Sequence, residues 1–200
     1  MNVILELLYN YDLNLNILLI TNKEFLKYKK EFYIYNLKFN MSIKYYEDIN
    51  FRNKICAKML CLNKQLKLKL INSLQITDAS ALGNVHTLDL SYCNNITDVS
   101  ALGNVHTLNL YRCDNITDVS ALGNVHTLNL SWCDKITDVS ALCNVHTLKL
   151  SDCPKITDVS ALCNVHTLIL SGLKNITDVS VLGNVHTLKI YDCKNIIEVH

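Results

Sequence analysis

Histidine recurs at a fixed spacing through the second half of the chain, and imidazole is both a metal ligand and a group that titrates near neutral pH. Six of the seven histidines follow one another every 20 residues: His86, His106, His126, His146, His166 and His186. Zinc needs three or four ligands converging at ~2.0–2.1 Å, whereas a straight column on paired strands brings only neighbouring rings within about 5 Å. The spacing therefore predicts a repeated structural residue and no metal site, and it leaves weak proton sensing open as an alternative, because stacked imidazoles repel when charged.

Cysteine follows the same period. Five of the nine cysteines share one position of the repeat: Cys93, Cys113, Cys133, Cys153 and Cys193. Leu173 takes that position in one cycle, which indicates a small apolar side chain packed in the core. Cys143 and Cys163 replace a turn glycine, so we expect them nearer the surface. Because no export signal occurs, we expect reduced thiols in an intracellular, cytoplasmic protein, with a nuclear location left open. No Cys-x-x-Cys pair occurs, which disfavours zinc-finger and thioredoxin-like sites.

Short motifs that would indicate an enzyme are absent from the sequence. GxxxxGK[ST], GxGxxG, GxSxG and HExxH do not occur. Aspartate also recurs every 20 residues, on the turn side of the repeat where backbone capping explains it: Asp98, Asp118, Asp138, Asp158 and Asp178. We therefore predict no catalytic residue and no cofactor.

Composition narrows the class of protein further. Of 200 residues, 50% are hydrophobic and 18% are charged, with a net charge of +1, which is typical of a folded chain rather than a disordered one. The small net charge disfavours a nucleic-acid partner. No apolar run reaches the ~18 residues that span a bilayer, so we expect no membrane partner.

A tandem repeat organises the second half of the chain. Val-His-Thr-Leu opens each cycle with a period of 20 residues and no slippage. Leu108 and Leu110 are two residues apart, so both point to one face of a strand. Asp118 can cap the short turn that follows it, and Gly123 and Asn124 tolerate left-handed geometry where that turn ends. One coil cannot bury its apolar stripe alone, so the sequence predicts a stack of seven coils around a continuous core.

This cycle resembles the leucine-rich repeat. The residues that carry the resemblance in one cycle are Val105, Leu108, Leu110, Cys113 and Ile116. The resemblance covers residues 65–200 and implies an α/β solenoid, an arc of about seven 20-residue coils with a parallel sheet on its concave face. A small helical N-terminal region, residues 1–64, precedes the solenoid, and the last repeat is incomplete.

Variation between cycles is concentrated on the predicted concave face. Counted from the valine of each cycle, it falls mostly at the fifth, seventh and eighth positions, and exposed Tyr, Trp and Arg are favoured anchors in protein interfaces. The predicted partner-binding residues are Asp89, Tyr92, Asn109, Tyr111, Arg112, Asn129, Trp132, Lys149, Asp152, Lys189 and Tyr191. The alternative is recent duplication, with drift first at positions that the fold leaves unconstrained.

The N-terminal region carries a second resemblance, to the F-box. The matching residues are Ile4, Leu5, Leu7, Leu8, Asp12, Leu13, Leu18, Leu19, Asn22, Lys23 and Phe25. The resemblance implies a Skp-type adaptor held by Leu7, Leu8, Leu18 and Phe25. The alternative is a helical cap over the first coil, which every solenoid needs. Apolar spacing predicts a last helix before the solenoid, through Phe51, Ile55, Met59 and Leu62.

These patterns together predict a non-enzymatic protein-recognition module with its protein target on the concave face. If the F-box resemblance holds, it implies the substrate receptor of a Skp–cullin–F-box ubiquitin ligase, in which partners carry out the ubiquitin chemistry. The alternative is a plain leucine-rich-repeat interaction scaffold with no ubiquitin link, whose N-terminal helices serve only as a cap.

Overall fold

One parallel sheet forms the centre of the computed structural model, which describes residues 34–62 and 65–196. Its eight strands follow one another in chain order. They are β1 (Ile34–Asn36), β2 (Gln65–Lys69), β3 (Thr87–Asp89), β4 (Thr107–Asn109), β5 (Thr127–Asn129), β6 (Thr147–Ser151), β7 (Thr167–Ser171) and β8 (Thr187–Tyr191). Equivalent residues pair in register, so Leu88, Leu108 and Leu128 form one row. The seven predicted repeat strands, β2–β8, are confirmed.

A 3-10 turn follows each of β2–β7 before the chain enters the next strand. The turns are Ser80–Leu82, Ser100–Leu102, Ser120–Asn124, Ser140–Asn144, Ser160–Asn164 and Ser180–Asn184. Before each turn, an aspartate accepts the N–H of the first serine, as in the 2.8 Å bond from Ser120 to Asp118 Oδ1. This bond is the main reason why the pKa of Asp118 lies below its ordinary value. The predicted capping role of the aspartates is confirmed.

Apolar side chains fill the space between the strands and the turns. In the middle of the stack, Leu128 and Leu130 have no exposed surface, and the same positions are buried in the coils on both sides. Burial decreases at the last coil, where Leu188 and Ile190 are only partly buried. Each coil therefore depends on its neighbours for burial, as expected of a solenoid.

The fifth position of the repeat sets strand length. Strands β3–β5 have three residues, whereas β6–β8 have five. In β3–β5 this position is Asp89, Asn109 or Asn129, whose side-chain oxygen accepts the backbone N–H two residues later at 3.1 Å. Because that N–H is bonded locally, strand pairing ends there. Lysine or isoleucine occupies the position in β6–β8 and cannot accept such a bond, so the strands continue.

Gly123 and Asn124 tolerate left-handed geometry but do not adopt it, since neither residue has a positive φ. The left-handed residues lie instead at the eighth position: Asn72, Tyr92, Arg112, Trp132, Asp152, Gly172 and Asp192. In the first coils the turn glycine allows close approach of the next coil, although Cys143 and Cys163 occupy the equivalent position later in the stack. A Cβ at Gly103 would lie 2.5 Å from the carbonyl oxygen of Ala121, closer than side chains pack.

Two helices, α1 (Phe39–Glu47) and α2 (Ile49–Leu62), lie between β1 and β2. Asp48 accepts the N–H groups of Asn50 and Phe51 and so caps the start of α2. The predicted helix leading into the solenoid is confirmed as α2, whose buried residues Phe51, Ile55 and Met59 join the core of the coils. Neither helix is long and apolar enough to cross a membrane.

The region before the repeats also contributes a strand that the sequence pattern does not predict. Strand β1 pairs in parallel with β2, with Tyr35 opposite Leu66, so it extends the sheet beyond the first repeat. The predicted helical segments and the F-box-like residues between positions 4 and 25 lie outside the described residues. The division of the chain at residues 64 and 65 stays a prediction.

Candidate protein-recognition surface

Large side chains from three consecutive coils meet where strands β3–β5 end. The Cζ atom of Arg112 lies 4.6 Å from the centroid of the Trp132 ring and 5.9 Å from that of the Tyr92 ring. Tyr111 packs edge-on against Tyr92, with ring centroids 5.3 Å apart. Tyr92 is 38% exposed and Trp132 is 37% exposed, so the group remains open to a ligand. Tyr92, Tyr111, Arg112 and Trp132 are called the aromatic–arginine cluster below.

Three residues of this cluster have backbone conformations that their residue types disfavour. The φ angles of Tyr92, Arg112 and Trp132 are 63°, 55° and 63°. Left-handed geometry costs a residue with a Cβ roughly 1–2 kcal/mol, and Gly, Asn and Asp adopt it most readily. Those tolerant types occupy the same position in the other coils, as Asn72 and Gly172 illustrate. Hydrogen bonds between coils hold the strained residues in place.

The guanidinium group of Arg112 lies over the Trp132 ring and within cation–π range of the Tyr92 ring, and the residue is half-buried. Arginine carries five N–H donors in the plane of the group. The described residues give these donors neither a hydrogen bond nor an ion pair. The Arg112 backbone is fixed in addition, because its N–H donates to the Ser131 carbonyl at 3.0 Å. The charge of Arg112 acts on the nearby Asp114 carboxyl group, but within the described residues the two side chains form no ion pair.

The predicted fifth-position residues fall into two groups. Asp89, Asn109 and Asn129 accept backbone N–H groups, and Asn129 Nδ2 also donates to Asn109 Oδ1 at 3.0 Å. The side chains of these three residues are therefore engaged in the hydrogen bonds that terminate strands β3–β5. Lys149 and Lys189 are exposed and have no such bond, so they are the fifth-position side chains most accessible to a partner.

The structure does not bring all the predicted partner-binding residues together. Asp152 continues the eighth-position column one coil beyond Trp132. Lys189 and Tyr191 lie in β8, three strands from β5, or about 14 Å at ~4.8 Å per strand. Tyr191 is 52% exposed. The surface thus has a compact cluster on β3–β5 and a separate group of side chains at the β8 edge.

The six periodic histidines form a ladder in which the first five rings are stacked and the sixth is tilted by 36° against its neighbour. Neighbouring ring centroids lie 4.4–4.5 Å apart, close to the predicted spacing. The first five rings each place Nδ1 3.1–3.3 Å from the hydroxyl of the next threonine. Loss of hydration, and then the neighbouring histidines, lower the pKa of half-buried His86 and of exposed His166. Residues 34–62 and 65–196 contain no group of three or more His, Cys, Asp or Glu side chains suited to a metal ion.

The cysteine column lies in the core and makes hydrogen bonds that the sequence pattern does not reveal. Four thiols have no exposed surface and donate to a leucine carbonyl of the preceding coil, at 3.0–3.2 Å: Cys93, Cys113, Cys133 and Cys153. Burial raises the pKa of Cys113 to about 12 and that of Cys153 to about 11. The predicted packing role is confirmed for these four residues, whereas Cys193 is only partly buried.

An asparagine ladder at the eleventh position links the coils and was missed by the sequence analysis. Its side-chain amides donate to a backbone carbonyl of the preceding coil at 2.6–2.7 Å: Asn95, Asn115, Asn175 and Asn195. Lysine replaces asparagine at Lys135 and Lys155. The period shows that asparagine recurs, but several turn geometries would accommodate it, so the bond could not be inferred. The ladder is structural and leaves the sheet face as the candidate site.

The stacked coils, the in-register parallel strands and the recurring turns define a leucine-rich-repeat solenoid. A family model for the leucine-rich repeat matches residues 84–103 and 124–143, so the chain contains leucine-rich repeats. No curated protein sequence matches the chain significantly.

Two solved structures show a likeness to the chain. An internalin, InlF, from Listeria monocytogenes is 26% identical, with a TM-score of 0.49 over 64% of this chain and 48% of that one. The functional domain of InlJ from the same organism, described as including a cysteine ladder, is 20% identical, with a TM-score of 0.34 over 69% of this chain and 41% of that one. The chain thus spans less than half the length of either structure.

Proposed function

We propose that this chain is a protein-recognition module, without catalysis of its own, that binds a protein partner across the sheet face of its solenoid. The aromatic–arginine cluster forms the central contact. Lys149, Lys189 and Tyr191 extend the surface toward β8. An open row of parallel strands supports this proposal, because solenoids bind partners over such extended surfaces.

One observation carries the proposal: Tyr92, Arg112 and Trp132 lie in contact at backbone positions that disfavour them. Strained residues concentrate at functional sites, where the rest of the fold holds them. Tyr, Trp and Arg are also the residue types that dominate binding energy in protein interfaces. If the position had only a structural role, asparagine would fill it with less backbone strain, as it does at Asn72.

A displayed random-peptide library panned against the purified full chain tests the proposal without knowledge of the partner. The comparison is a triple variant, Tyr92→Asn, Arg112→Asn and Trp132→Asn, which keeps the left-handed backbone acceptable. We expect the wild-type chain to enrich a family of binding peptides and the triple variant to lose them. Circular dichroism and thermal unfolding establish that both proteins are folded.

A matched control changes the same three coils away from the sheet face. Thr97, Thr117 and Thr137 are exposed and precede the capping aspartates, so their replacement by alanine leaves the cluster intact. We expect this control to retain the selected peptides. Equal binding by the cluster variant, or no selection by the folded wild-type chain, contradicts the proposal.

The narrower role of ubiquitin-ligase receptor rests on the resemblance of residues 4–25 to an F-box. The family-model match is to the repeats, and no contact of the described residues bears on an adaptor. The plain interaction scaffold is therefore the function proposed here. Adaptor binding is a separate question with its own experiment.

A further inference from the structure

We infer that Arg112 is the carboxylate-binding residue of the aromatic–arginine cluster, and that its guanidinium group, held between Tyr92 and Trp132, takes an Asp or Glu side chain from an acidic segment of the partner. This inference rests on the proposed protein-recognition function. It adds to that function the chemical group of the partner that Arg112 binds, a carboxylate.

Because its side chain is already restricted, Arg112 is preorganised to donate hydrogen bonds to a ligand. A long side chain normally loses rotamer freedom when it binds, which reduces affinity. Here the Trp132 ring, 4.6 Å from Cζ, and the Tyr92 ring, 5.9 Å away, already restrict the guanidinium group. Its planar fork of donors matches the two oxygens of a carboxylate. Binding therefore requires little further ordering of the protein.

The same guanidinium group has unused hydrogen-bonding capacity. Within the described ranges, 34–62 and 65–196, it makes no hydrogen bond and no ion pair. A cation–π contact engages the face of a guanidinium group and does not use its in-plane N–H donors. An external oxyanion at the edge of the group would supply the missing acceptors.

Neighbouring charges favour a singly charged carboxylate over a phosphate group. The charges of Arg112 and Asp134 both act on the Asp114 carboxyl group. Burial is the main cause that raises the pKa of Asp114, and the charge of Asp134 is the next. Asp152 acts on Tyr111 within the same cluster. These carboxylates repel a phosphate, which concentrates a charge of about −1.5 to −2 in one group, more strongly than a carboxylate, which places a single negative charge against Arg112. The environment thus favours a carboxylate as the group that contacts Arg112, while the other carboxylates of an acidic segment lie farther along the peptide.

Trp132 is the only tryptophan of the chain, and it stacks on Arg112, so its fluorescence reports directly on the site. The probe is an acetylated, amidated hexaglutamate peptide titrated into the full-length protein, with hexaglutamine as the neutral match and sodium chloride as the ionic-strength match. We expect a saturable fluorescence change with hexaglutamate, a dissociation constant of about 1 mM or lower, and no saturable change with the two controls.

Variants then assign the effect to Arg112. Arg112→Gln keeps a hydrogen-bonding side chain without the charge and is expected to weaken hexaglutamate binding at least about tenfold. Arg112→Lys keeps the charge but loses the planar fork, so its affinity should lie between the two. Lys155→Gln removes an exposed cation from the eleventh position, away from the cluster, and should leave binding unchanged.

Three results would overturn the inference. The first is no fluorescence response to hexaglutamate at about 10 mM, which is tenfold above the expected dissociation constant. The second is unchanged affinity for hexaglutamate in Arg112→Gln, and the third is tighter binding of a phosphoserine peptide than of hexaglutamate. The peptides selected from the displayed library separate this failure from failure of the proposed function. If they bind the cluster with the same affinity in Arg112→Gln, protein recognition stands and carboxylate recognition falls. If hexaglutamate binds through Arg112 but the library yields no peptide, carboxylate binding stands and the broader recognition surface falls.

Discussion

The same substitution at two equivalent leucines should have very different effects on stability. Leu128 lies in the middle of the stack with no exposed surface, whereas Leu188 holds the same repeat position in the last coil and is partly buried. Leu128→Ala removes buried carbons and leaves a cavity between two coils, which costs about 2–5 kcal/mol. Leu188→Ala removes side-chain surface that is only partly withdrawn from water, so roughly 1 kcal/mol is expected.

Equilibrium unfolding in urea measures both free energies against the parent chain. Far-ultraviolet circular dichroism follows the whole solenoid, and Trp132 fluorescence follows the central coils. Coincident transitions would justify a two-state analysis, while an early transition seen only by circular dichroism would report fraying of the last coil. Leu128→Ala should lower the free energy of unfolding by at least about twice as much as Leu188→Ala does.

Equal losses for the two variants would refute this reasoning. They would mean that Leu188 is as buried in solution as Leu128, so that another part of the chain or another molecule covers β8. Sedimentation of the parent chain would then decide between self-association and an intramolecular cover. A smaller loss at Leu128 than at Leu188 would contradict the packing of the central coils itself.

The remaining predictions concern the adaptor, pH, thiols and strain. A Skp-type adaptor should be retained by the full chain, and lost by a folded Leu8→Asp/Phe25→Asp variant, only if the F-box resemblance is functional. Because the pKa of two ladder histidines lies below the ordinary value of 6.5, the unfolded chain binds more protons in acid. Stability is therefore complete above about pH 6.5 and falls below it, so urea midpoints at about pH 7.5 should exceed those at about pH 5.5. Cys133, fully buried, should resist a thiol reagent in the native protein and react after unfolding, when followed by mass spectrometry; rapid native labelling would contradict its burial. Trp132→Asn should change the free energy of unfolding by less than about 1 kcal/mol, because relief of left-handed strain offsets the lost cation–π contact; a loss of several kcal/mol in urea would make Trp132 a packing residue.

Contacts between equivalent residues of neighbouring repeats could be predicted from the 20-residue period of the sequence. A 20-residue cycle places Leu108 beside Leu88 and Leu128, and the histidine spacing follows from the same register. The aspartate caps are local, two residues from the N–H that they accept, so they too were accessible. Strand β1 and helix α1 were not predicted, because they lie before the first repeat and no periodic neighbour reveals their partners.

The backbone of the eighth position shows what the sequence pattern could not provide. A Gly-Asn pair tolerates left-handed geometry, but at Gly103 the glycine instead allows close stacking, because a Cβ there would lie 2.5 Å from a carbonyl oxygen of the next coil. The left-handed turn falls instead at Tyr92, Arg112 and Trp132, types that predict the opposite. Bonds to the neighbouring coil override local preference there, and such bonds are known only once the coils are stacked.

That mismatch also bears on whether the variable positions have merely drifted since the repeats were duplicated. Drift at a position of no consequence would be limited only by the backbone, which favours Asn, Asp and Gly there, and those types do occur at Asn72, Asp152 and Gly172. Residue types that disfavour left-handed geometry occur instead only in three consecutive coils, where the Arg112 side chain contacts those of Tyr92 and Trp132. Three independent and unfavourable changes that assemble one exposed cluster are better explained by selection for what the cluster binds than by relaxed constraint.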